Sequence, residues 1–265
     1  MRLLVKVGGA QLEEAPRLAA FARAVARARS AGHQVVLVHG GGNQIRSLSR
    51  RLGIQDRYHQ GLRVTDAATA EVVLMVLGGQ VNRTVVQALQ AAGVPAVGIT
   101  GADGATFAAV KHAPDGVDLG YVGAVHAPDP GLVRHLLAGG FVPVIATTAP
   151  GPDGVFHNIN ADMGAGPLAR AFAAEALLFL TDVPGVLDHE RRRLEVLSPT
   201  TCARLRQSGV IHGGMIPKVE AALAALAENP AALIKIAPAE GEDTVLHALD
   251  PAVGTRFCNE KMAHG

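Results

Sequence analysis

The sequence has few of the features that mark secreted, membrane-bound or nucleic-acid-binding proteins. It contains two cysteines, Cys202 and Cys258, whose spacing matches neither a metal-binding nor a redox motif, so we expect a reduced, cytosolic compartment. No window approaches the run of about 18 apolar residues that a transmembrane helix requires. Charged residues at Arg2 and Lys6 flank the first apolar segment, so we expect no signal peptide. A net charge of +1 gives no reason to expect nucleic acid or a polyanionic partner.

Three common nucleotide-binding signatures are also missing. The chain has no G-x-x-x-x-G-K-[ST] loop, which excludes a P-loop ATPase. It has no G-x-G-x-x-G motif after the first predicted strand, which weakens a dinucleotide-binding interpretation. The set of motifs that identifies protein kinases is absent as well.

Lysine is scarce, with five residues against 19 arginines. Exposed positive charge is therefore supplied mainly by arginine, and a lysine next to a glycine motif is less easily explained as ordinary surface charge. The five are Lys6, Lys111, Lys218, Lys235 and Lys261.

Apolar, strand-like segments alternate with amphipathic helical segments along the chain. Strands are predicted at Leu3–Val7, Val35–Val38, Ala96–Thr100, Val142–Ala146, Ala176–Leu180 and Leu233–Ala237. Helices are predicted at Pro16–Ser30, Gln44–Leu52, Thr69–Val86, Pro130–Ala138, Asp162–Ala174, Pro199–Ser208 and Ile216–Glu228, and a hairpin over Phe107–His126. This alternation predicts an α/β fold, a three-layer sandwich with a central, mainly parallel sheet between helix layers. Its functional cleft should lie at the carboxyl ends of the strands.

The predicted helix Thr69–Val86 is apolar nearly all round, because residues 72–77 read Val-Val-Leu-Met-Val-Leu. Such a helix must be covered on several sides, by the core or by another subunit. We therefore expect a homodimer, the simplest closed oligomer.

Two glycine motifs follow the first two predicted strands. In Lys6-Val7-Gly8-Gly9-Ala10, backbone N–H groups can approach a phosphate closely and the lysine adds a full charge, although a plain tight turn is an equal alternative. His39-Gly40-Gly41-Gly42 precedes a helix N-terminus, which favours an anion site. His39 itself is read as a structural residue at the end of a strand.

Two further segments carry groups suited to a carboxylate or to catalysis. Gly61-Leu62-Arg63-Val64-Thr65 presents an arginine able to grip a carboxylate with two hydrogen bonds, unless Arg63 is an ordinary surface residue. Asn158-Ile159-Asn160-Ala161-Asp162 places two asparagines on one side of an extended segment. Asp162 is predicted to cap the following helix, which leaves room for a second role.

The last two motifs lie in the C-terminal half. Thr181-Asp182-Val183-Pro184-Gly185-Val186 follows a strongly apolar strand. Gly213-Gly214-Met215-Ile216-Pro217-Lys218 leads into a helix in which Pro217 is acceptable near the start. Lys218 is either part of a phosphate site or a surface lysine.

Taken in order, these six motifs resemble those of the amino-acid kinase family. The resemblance spans roughly residues 1–225, and the segments Gly61–Thr65 and Asn158–Asp162 point to the branch that phosphorylates N-acetyl-L-glutamate on its γ-carboxylate, the second step of arginine biosynthesis.

The resemblance implies a single kinase domain over residues 1–265. An N-terminal lobe, about residues 1–150, would hold the acyl substrate, and a C-terminal lobe, about residues 151–265, the nucleotide. It implies ATP as phosphate donor, Mg²⁺ carried with the nucleotide and no dedicated metal ligands. The implied catalytic residues are Lys6, Asp162 and Lys218, with Asp162 holding the two lysines in place. The implied substrate-binding residues are Gly41, Gly42, Arg63 and Asn158. The implied nucleotide-binding residues are Gly8, Gly9, Asp182, Val183, Pro184, Gly185, Val186, Leu187, Val210, Ile211 and His212.

The sequence departs from the family pattern at two places. Five residues precede Lys6, so we expect neither the N-terminal helix of the arginine-inhibited enzymes nor that feedback. The stretch Ile234–Gly241 lacks the D-G-R sequence typical of the family.

Two alternatives remain open at this point. A related kinase of lysine synthesis acts on aminoadipate attached to an acidic carrier protein, and it would need a basic docking face such as Arg46 with Arg50 and Arg51, or the run Arg191–Arg193. A non-catalytic amino-acid or nucleotide sensor on the same scaffold would be expected to have lost a catalytic lysine or the aspartate.

Overall fold

The predicted apolar strands form the centre of the structure. A computed structural model describes residues 1–259; Lys261 lies outside this range. The strands are β1 (Arg2–Val7), β2 (Gln34–His39), β3 (Tyr58–His59), β4 (Leu62–Arg63), β5 (Ala96–Ile99), β6 (Ala108–Lys111), β7 (Val122–His126), β8 (Val142–Ala146), β9 (Thr148–Pro150), β10 (Phe156–Ile159), β11 (Ala176–Thr181), β12 (Val196–Leu197), β13 (Leu233–Pro238) and β14 (Thr255–Phe257).

The main sheet has eight strands in the order β12-β14-β13-β11-β1-β2-β8-β5. All neighbouring strands run parallel except β13 and β14, which are antiparallel. The central strands are buried on both faces, as parallel sheets are, because helices cover each side. The predicted mainly parallel α/β fold is confirmed.

Ten α-helical segments are described within residues 1–259. They are α1 (Ala10–Glu13), α2 (Ala15–Ser30), α3 (Gly42–Arg51), α4 (Ala67–Val73), α5 (Asn82–Ala91), α6 (Gly131–Ala138), α7 (Ala161–Ala171), α8 (Pro199–Gln207), α9 (Met215–Glu228) and α10 (Thr244–His247). The helices form two layers, each packed through a hydrophobic cluster on one face of the sheet. Side chains from α2, α5 and α10 pack on one face, and those from α6, α7, α8 and α9 pack on the other. Alternate residues of β1 point into the two clusters, which is the expected pleat of a strand.

The long apolar helix of the sequence is continuous but changes its winding. Between α4 and α5 the chain forms a π-helix over Leu74–Val81, a wider turn that often lies near functional sites. By length and composition alone, Ala67–Ala91 could cross a membrane, but half of its most apolar window is buried in the fold, as in a core helix. Its apolar side chains are mostly covered within the subunit, whereas Met75 remains 55% exposed.

Several short elements had no sequence signal. The predicted hairpin is confirmed as β6 and β7, and with β10 and β9 it makes a four-stranded sheet. The sequence did not predict β9 and β10 or the hairpin of β3 and β4. It also did not predict the strands β12 and β14 or the helices α1 and α10. Elements of two to four residues are too short to show a period.

The atypical C-terminal segment forms β13, α10 and β14, and β14 pairs with the edge strand β12. Lys235 of β13 is 1% exposed, and its ammonium donates to the carbonyl of Asp250 at 2.6 Å. Burial, and then the charge of Arg193, lower the pKa of Lys235. This lysine therefore has a structural place in the fold.

A steric test of the packing between β5 and α5 is available at Gly98. A Cβ atom at this position would overlap Asn82 Oδ1 and Arg83 Nη2, both on α5. We expect Gly98→Ala to lower the free energy of unfolding by about 1–3 kcal/mol, measured by urea denaturation. Gly79→Ala is the matched control, because a Cβ there has no neighbour within 4 Å. Equal stabilities for the two variants would contradict this packing.

Candidate active site

Two lysines share one buried carboxylate at the carboxyl edge of the main sheet. Lys6 lies near the end of β1, Asp162 in the first turn of α7 and Lys218 in the first turn of α9. Lys6 Nζ is 2.7 Å from Asp162 Oδ1, and Lys218 Nζ is 3.0 Å from Asp162 Oδ2. We call these three residues the ion triad.

The cap of α7 differs from the prediction. Asn160, not Asp162, is the N-cap residue: its side-chain oxygen accepts hydrogen bonds from the N–H groups of Asp162 at 2.9 Å and Met163 at 3.2 Å. An asparagine is among the best capping residues, so the helix needs no carboxylate there. The carboxylate of Asp162 is consequently available to both lysines.

The electrostatics of the ion triad balance burial against charge pairing. Burial alone would raise the pKa of Asp162, but the charges of Lys6 and Lys218 hold that pKa below its usual range. Burial lowers the pKa of Lys6, and Lys218 lowers it further, while Asp162 opposes both effects. With all three groups ionised, the ion triad carries a net charge of +1.

Close packing of α7 against α9 brings Asp162 and Lys218 together. A Cβ atom at Gly166 would be 3.1 Å from Ala225 Cβ, so glycine permits the approach of the two helices. Both helices begin beside the ion triad, and helix N-termini carry partial positive charge. The site is therefore suited to an anion.

The first cleft beside the ion triad has a volume of about 270 Å³. It is lined by Lys6, Gly8, Gly9, Gly40, Gly41, Gly42, Asn43, Ile45, Arg46, Tyr58, Gly61, Leu62, Arg63, Leu77, Val122, Thr147, Asn158, Ile159, Asn160, Ala161 and Asp162. The structure therefore brings together the four residues predicted to bind the acyl substrate, and it places Gly8 and Gly9 in the same cleft.

Polar side chains tie the walls of this first cleft together. Arg63 is buried, and its Nη2 donates to the carbonyl of Gly42 at 2.9 Å, which joins β4 to the glycine loop. Asn158 Nδ2 donates to Thr65 Oγ1 at 3.2 Å, which joins β10 to the segment after β4.

Gly41 and Gly42 of the second motif differ in why a side chain is absent. A Cβ atom at Gly41 would be 2.8 Å from Leu77 Cδ2 and 3.1 Å from Val81 Cγ2, both on the π-helix. A Cβ atom at Gly42 would have no neighbour within 4 Å. Gly41 is thus required by helix packing, whereas Gly42 leaves open space in the cleft.

His39 supports the glycine loop from the protein interior, in agreement with its interpretation as a structural residue. Its Nδ1 lies 2.9 Å from the carbonyl of Gly40, and its Nε2 lies 3.0 Å from Asn82 Nδ2. Asn82 Nδ2 also donates to the carbonyl of Val144 at 2.9 Å. Burial lowers the pKa of His39 to about 4, so the ring is neutral at pH 7. A neutral ring can donate at Nδ1 and accept at Nε2, which satisfies both partners.

The second cleft has a volume of about 480 Å³ and includes Lys218 in its wall. The other lining residues are Thr181, Asp182, Val183, Gly185, Val186, Leu187, Asp188, Arg191, Val210, His212, Gly214 and Met215. Pro184 is exposed and Ile211 is buried, and neither lines this cleft. The other seven predicted residues of the segments Asp182–Leu187 and Val210–His212 do.

The loop after β11 is fixed to β14, the second strand from one edge of the main sheet. Thr255 Oγ1 accepts from the N–H of Val186 at 2.9 Å and donates to the carbonyl of Leu194 at 2.6 Å. Gly185 has φ +148°, and a Cβ there would be 2.6 Å from the same hydroxyl oxygen. Glycine is therefore needed at this turn.

Some lining residues were not predicted. Arg46, Tyr58, Leu77 and Val122 enter the first cleft from elements distant in sequence, and Asp188 and Arg191 enter the second. Arg46 and Arg191 had a partial signal, because each belongs to a group of arginines that the sequence shows. The others had no signal for a cleft, because tertiary contacts place them.

Metal-ligand clusters were sought among residues 1–259. No group of three or more His, Cys, Asp or Glu side chains in that range is placed to hold a metal ion. The carboxylate of Asp162 is already engaged by two ammonium groups.

Comparison with protein families gives one match over most of the chain. The model described as the amino acid kinase family matches residues 1–235. The acetylglutamate kinase of Koribacter versatilis is 42% identical over 226 residues, covering 85% of this chain and 86% of that protein. The acetylglutamate kinase of Acidobacterium capsulatum is 45% identical over 240 residues, covering 91% and 92%.

Solved structures share the same fold. The structure of smu.665 from Streptococcus mutans has a TM-score of 0.83 at 27% identity and covers 98% of this chain and 99% of that one. Carbamate kinase from Giardia lamblia bound to AMP-PNP has a TM-score of 0.72 at 18% identity, with 98% of each chain covered.

The buried His39 predicts a specific pH dependence of stability. The pKa of the folded state, about 4, lies below the usual 6.5, so between these values the unfolded chain binds a proton that the folded chain does not. Stability should therefore fall as the pH is lowered from 6.5 to 4, by about 3 kcal/mol from this residue.

The measurement is urea denaturation of the wild type and His39→Asn across that range. The difference in free energy of unfolding between the wild type and His39→Asn should become smaller toward pH 4, because the variant has no imidazole at position 39 to protonate. His189→Asn, at an exposed position, controls for the loss of a histidine elsewhere. Parallel stability curves for wild type and His39→Asn would contradict the prediction.

Proposed function

The chain belongs to the amino acid kinase family, and on that premise we propose that it is an acetylglutamate kinase. It transfers the γ-phosphoryl group of ATP to the γ-carboxylate of N-acetyl-L-glutamate, which forms N-acetyl-L-glutamyl 5-phosphate. This is the second step of arginine biosynthesis.

One observation of the structure carries the proposal: the ion triad stands where two clefts meet. Lys6 and Asp162 line the first cleft, Lys218 lines the second, and both lysines contact the same carboxylate. A phosphoryl group passing between the clefts would pass the two ammonium groups. This is the arrangement that transfer between two separately bound anions requires.

We assign the first cleft to the acyl substrate. Arg63 would bind the α-carboxylate, because a guanidinium can donate two parallel hydrogen bonds to one carboxylate. Asn158 and the backbone of Gly41 and Gly42 would orient the rest of the molecule. The open space beside Gly42 and the start of α3 suit the approach of an anion.

We assign the second cleft to the adenine nucleotide. The segments Asp182–Leu187 and Val210–His212 would hold it, with Pro184 and Ile211 shaping those segments and not lining the cleft. Gly8 and Gly9, beside Lys6, would approach the phosphates. We propose an acyl lobe over about residues 1–150 and a nucleotide lobe over about residues 151–265, with Asn158–Asp162 of the C-terminal half completing the first cleft.

The chemistry of transfer needs charge stabilisation and little else. The acceptor carboxylate is already ionised at pH 7, so no general base is required. The transition state spreads negative charge over the phosphoryl oxygens, and Lys6 and Lys218 would stabilise it. Asp162 would hold both ammonium groups at a fixed separation without contacting the reacting atoms.

We propose that Mg²⁺ arrives with ATP and is held mainly by phosphate oxygens and water. Bound in that way, Mg²⁺ would neutralise part of the phosphate charge.

We place the enzyme in the cytoplasm, where ATP is available and both buried cysteines stay reduced.

We also propose a homodimer. The interface would include the exposed side of the segment Leu74–Val81, where Met75 projects from an otherwise buried apolar helix. Sedimentation velocity measures this directly.

The substrate is tested by a hydroxamate assay with Mg-ATP across acetylglutamate, glutamate, succinylglutamate and carrier-bound aminoadipate. We expect acyl-phosphate formation with acetylglutamate at a kcat/KM well above that with the other three. Turnover with carrier-bound aminoadipate alone would replace the proposal with the carrier-dependent reaction. Activity with none of the four would favour the non-catalytic sensor.

Removing one lysine of the ion triad should separate catalysis from binding. Lys218→Ala should lower kcat by about 100-fold or more while the KM for ATP changes little, because its charge acts mainly on the transition state. Lys111→Ala is the matched control, since that lysine forms an exposed pair with Asp118. A Lys218→Ala enzyme with normal turnover would show that the assigned role is wrong.

A further inference from the structure

Asp56 is a charged residue beside the first cleft, and it belongs neither to the ion triad nor to the residues that line the cleft. It lies in the segment between α3 and β3, and its side chain is 19% exposed. Oδ1 forms an ion pair with Nη1 of Arg63, and Oδ2 is 3.8 Å from Nε of Arg46. The residue therefore joins two arginines that both line the first cleft.

The two arginines gather around one aromatic ring. The guanidinium carbon of Arg63 is 4.9 Å from the centroid of Tyr58, and that of Arg46 is 5.9 Å from it. Burial, and then the charge of Arg46, lower the pKa of Arg63 to about 10. The guanidinium of Arg63 is therefore short of solvent and close to a second cation, and Asp56 is the carboxylate paired with it.

Asp56 contacts Arg63 from outside the first cleft. Arg46, Tyr58 and Arg63 line the first cleft, but Asp56 is not among its lining residues. The aspartate thus holds Arg63 from outside the space that a substrate would fill. It does not occupy the place of a substrate carboxylate.

The hydrogen-bonding capacity of Arg63 is only partly used. Nη2 donates to the carbonyl of Gly42, and Nη1 has no hydrogen-bond acceptor among residues 1–259 apart from its ion pair with Asp56. A guanidinium has five N–H donors in a rigid fork. Two fixed contacts therefore set the plane of the group and leave donors for a bidentate carboxylate.

We propose that Asp56 is a positioning residue that holds the guanidinium of Arg63 in the orientation that receives the α-carboxylate of the acyl substrate. The inference rests on the proposed function. It adds a charge argument as well: two arginines and one aspartate leave this wall with a net charge of +1, which matches one carboxylate.

The test is steady-state kinetics of Asp56→Asn, which removes the charge and keeps the shape. We expect the KM for acetylglutamate to rise about tenfold, because a misoriented arginine loses binding in the ground state and the transition state alike. The kcat and the KM for ATP should change by less than about twofold. Asp56→Glu, which restores the charge, should recover at least part of the affinity.

Two controls separate positioning from a merely structural role. Asp243→Asn removes another Arg–Asp pair, with Arg27 on α2, and should leave all three constants unchanged. In an Arg63→Ala background, Asp56→Asn should have no further effect on kcat/KM for acetylglutamate, because Asp56 acts through Arg63. If the thermal unfolding midpoint of Asp56→Asn is close to that of the control variant Asp243→Asn, loss of folding does not explain the kinetic effect.

Three other kinetic results would overturn the proposed role of Asp56. A lower KM for acetylglutamate in Asp56→Asn would show that the aspartate competes with substrate, which overturns the proposal. An effect that persists in the Arg63→Ala background, or no effect at all, would overturn it as well. A wild type that forms no acyl phosphate with acetylglutamate would remove the proposed function and this inference together, whereas an active wild type with an unaltered Asp56→Asn would remove the inference alone.

Discussion

The two clefts are joined through one carboxylate, that of Asp162, which two lysines share. Burying any one of these three charges alone would be costly, so the fold can hold them there only together. Because β1, α7 and α9 each contribute one member, the ion pairs also fix where the two clefts meet. The single positive charge that remains unbalanced makes this point of the site suited to an anion.

Buried charge is also paired in the first cleft. The buried guanidinium of Arg63 is satisfied in part by the carbonyl of Gly42 and by Asp56, and it keeps spare donors. Behind the glycine loop, the neutral His39 and Asn82 meet each other's hydrogen-bonding needs without adding charge. In this part of the site, Arg63 and its partner Asp56 carry the charge, whereas His39 supports the glycine loop as a neutral ring.

The sequence predicted six of the eight strands of the main sheet and most helices, because these strands are apolar and separated by clear turn residues. It did not reveal β3 and β4, which have two residues each, although they carry Tyr58 and Arg63 into the first cleft. It also assigned the cap of α7 to Asp162, because aspartate and asparagine cap helices equally well and only the observed hydrogen bonds distinguish them. The requirement for glycine at position 41 came from the π-helix packed against it, which no local pattern indicates.

By itself, the sequence determined the α/β class, the family resemblance and the order of six motifs, since these depend on local periodicity and residue type. The tertiary structure decided which motifs share a cleft, which carboxylate the lysines contact and which arginines Asp56 joins. Residues separated by up to 212 positions meet in the ion triad, as Lys6 and Lys218 do. Such proximity is a property of how parallel strands align their ends and helices pack, and no local pattern encodes the resulting distances.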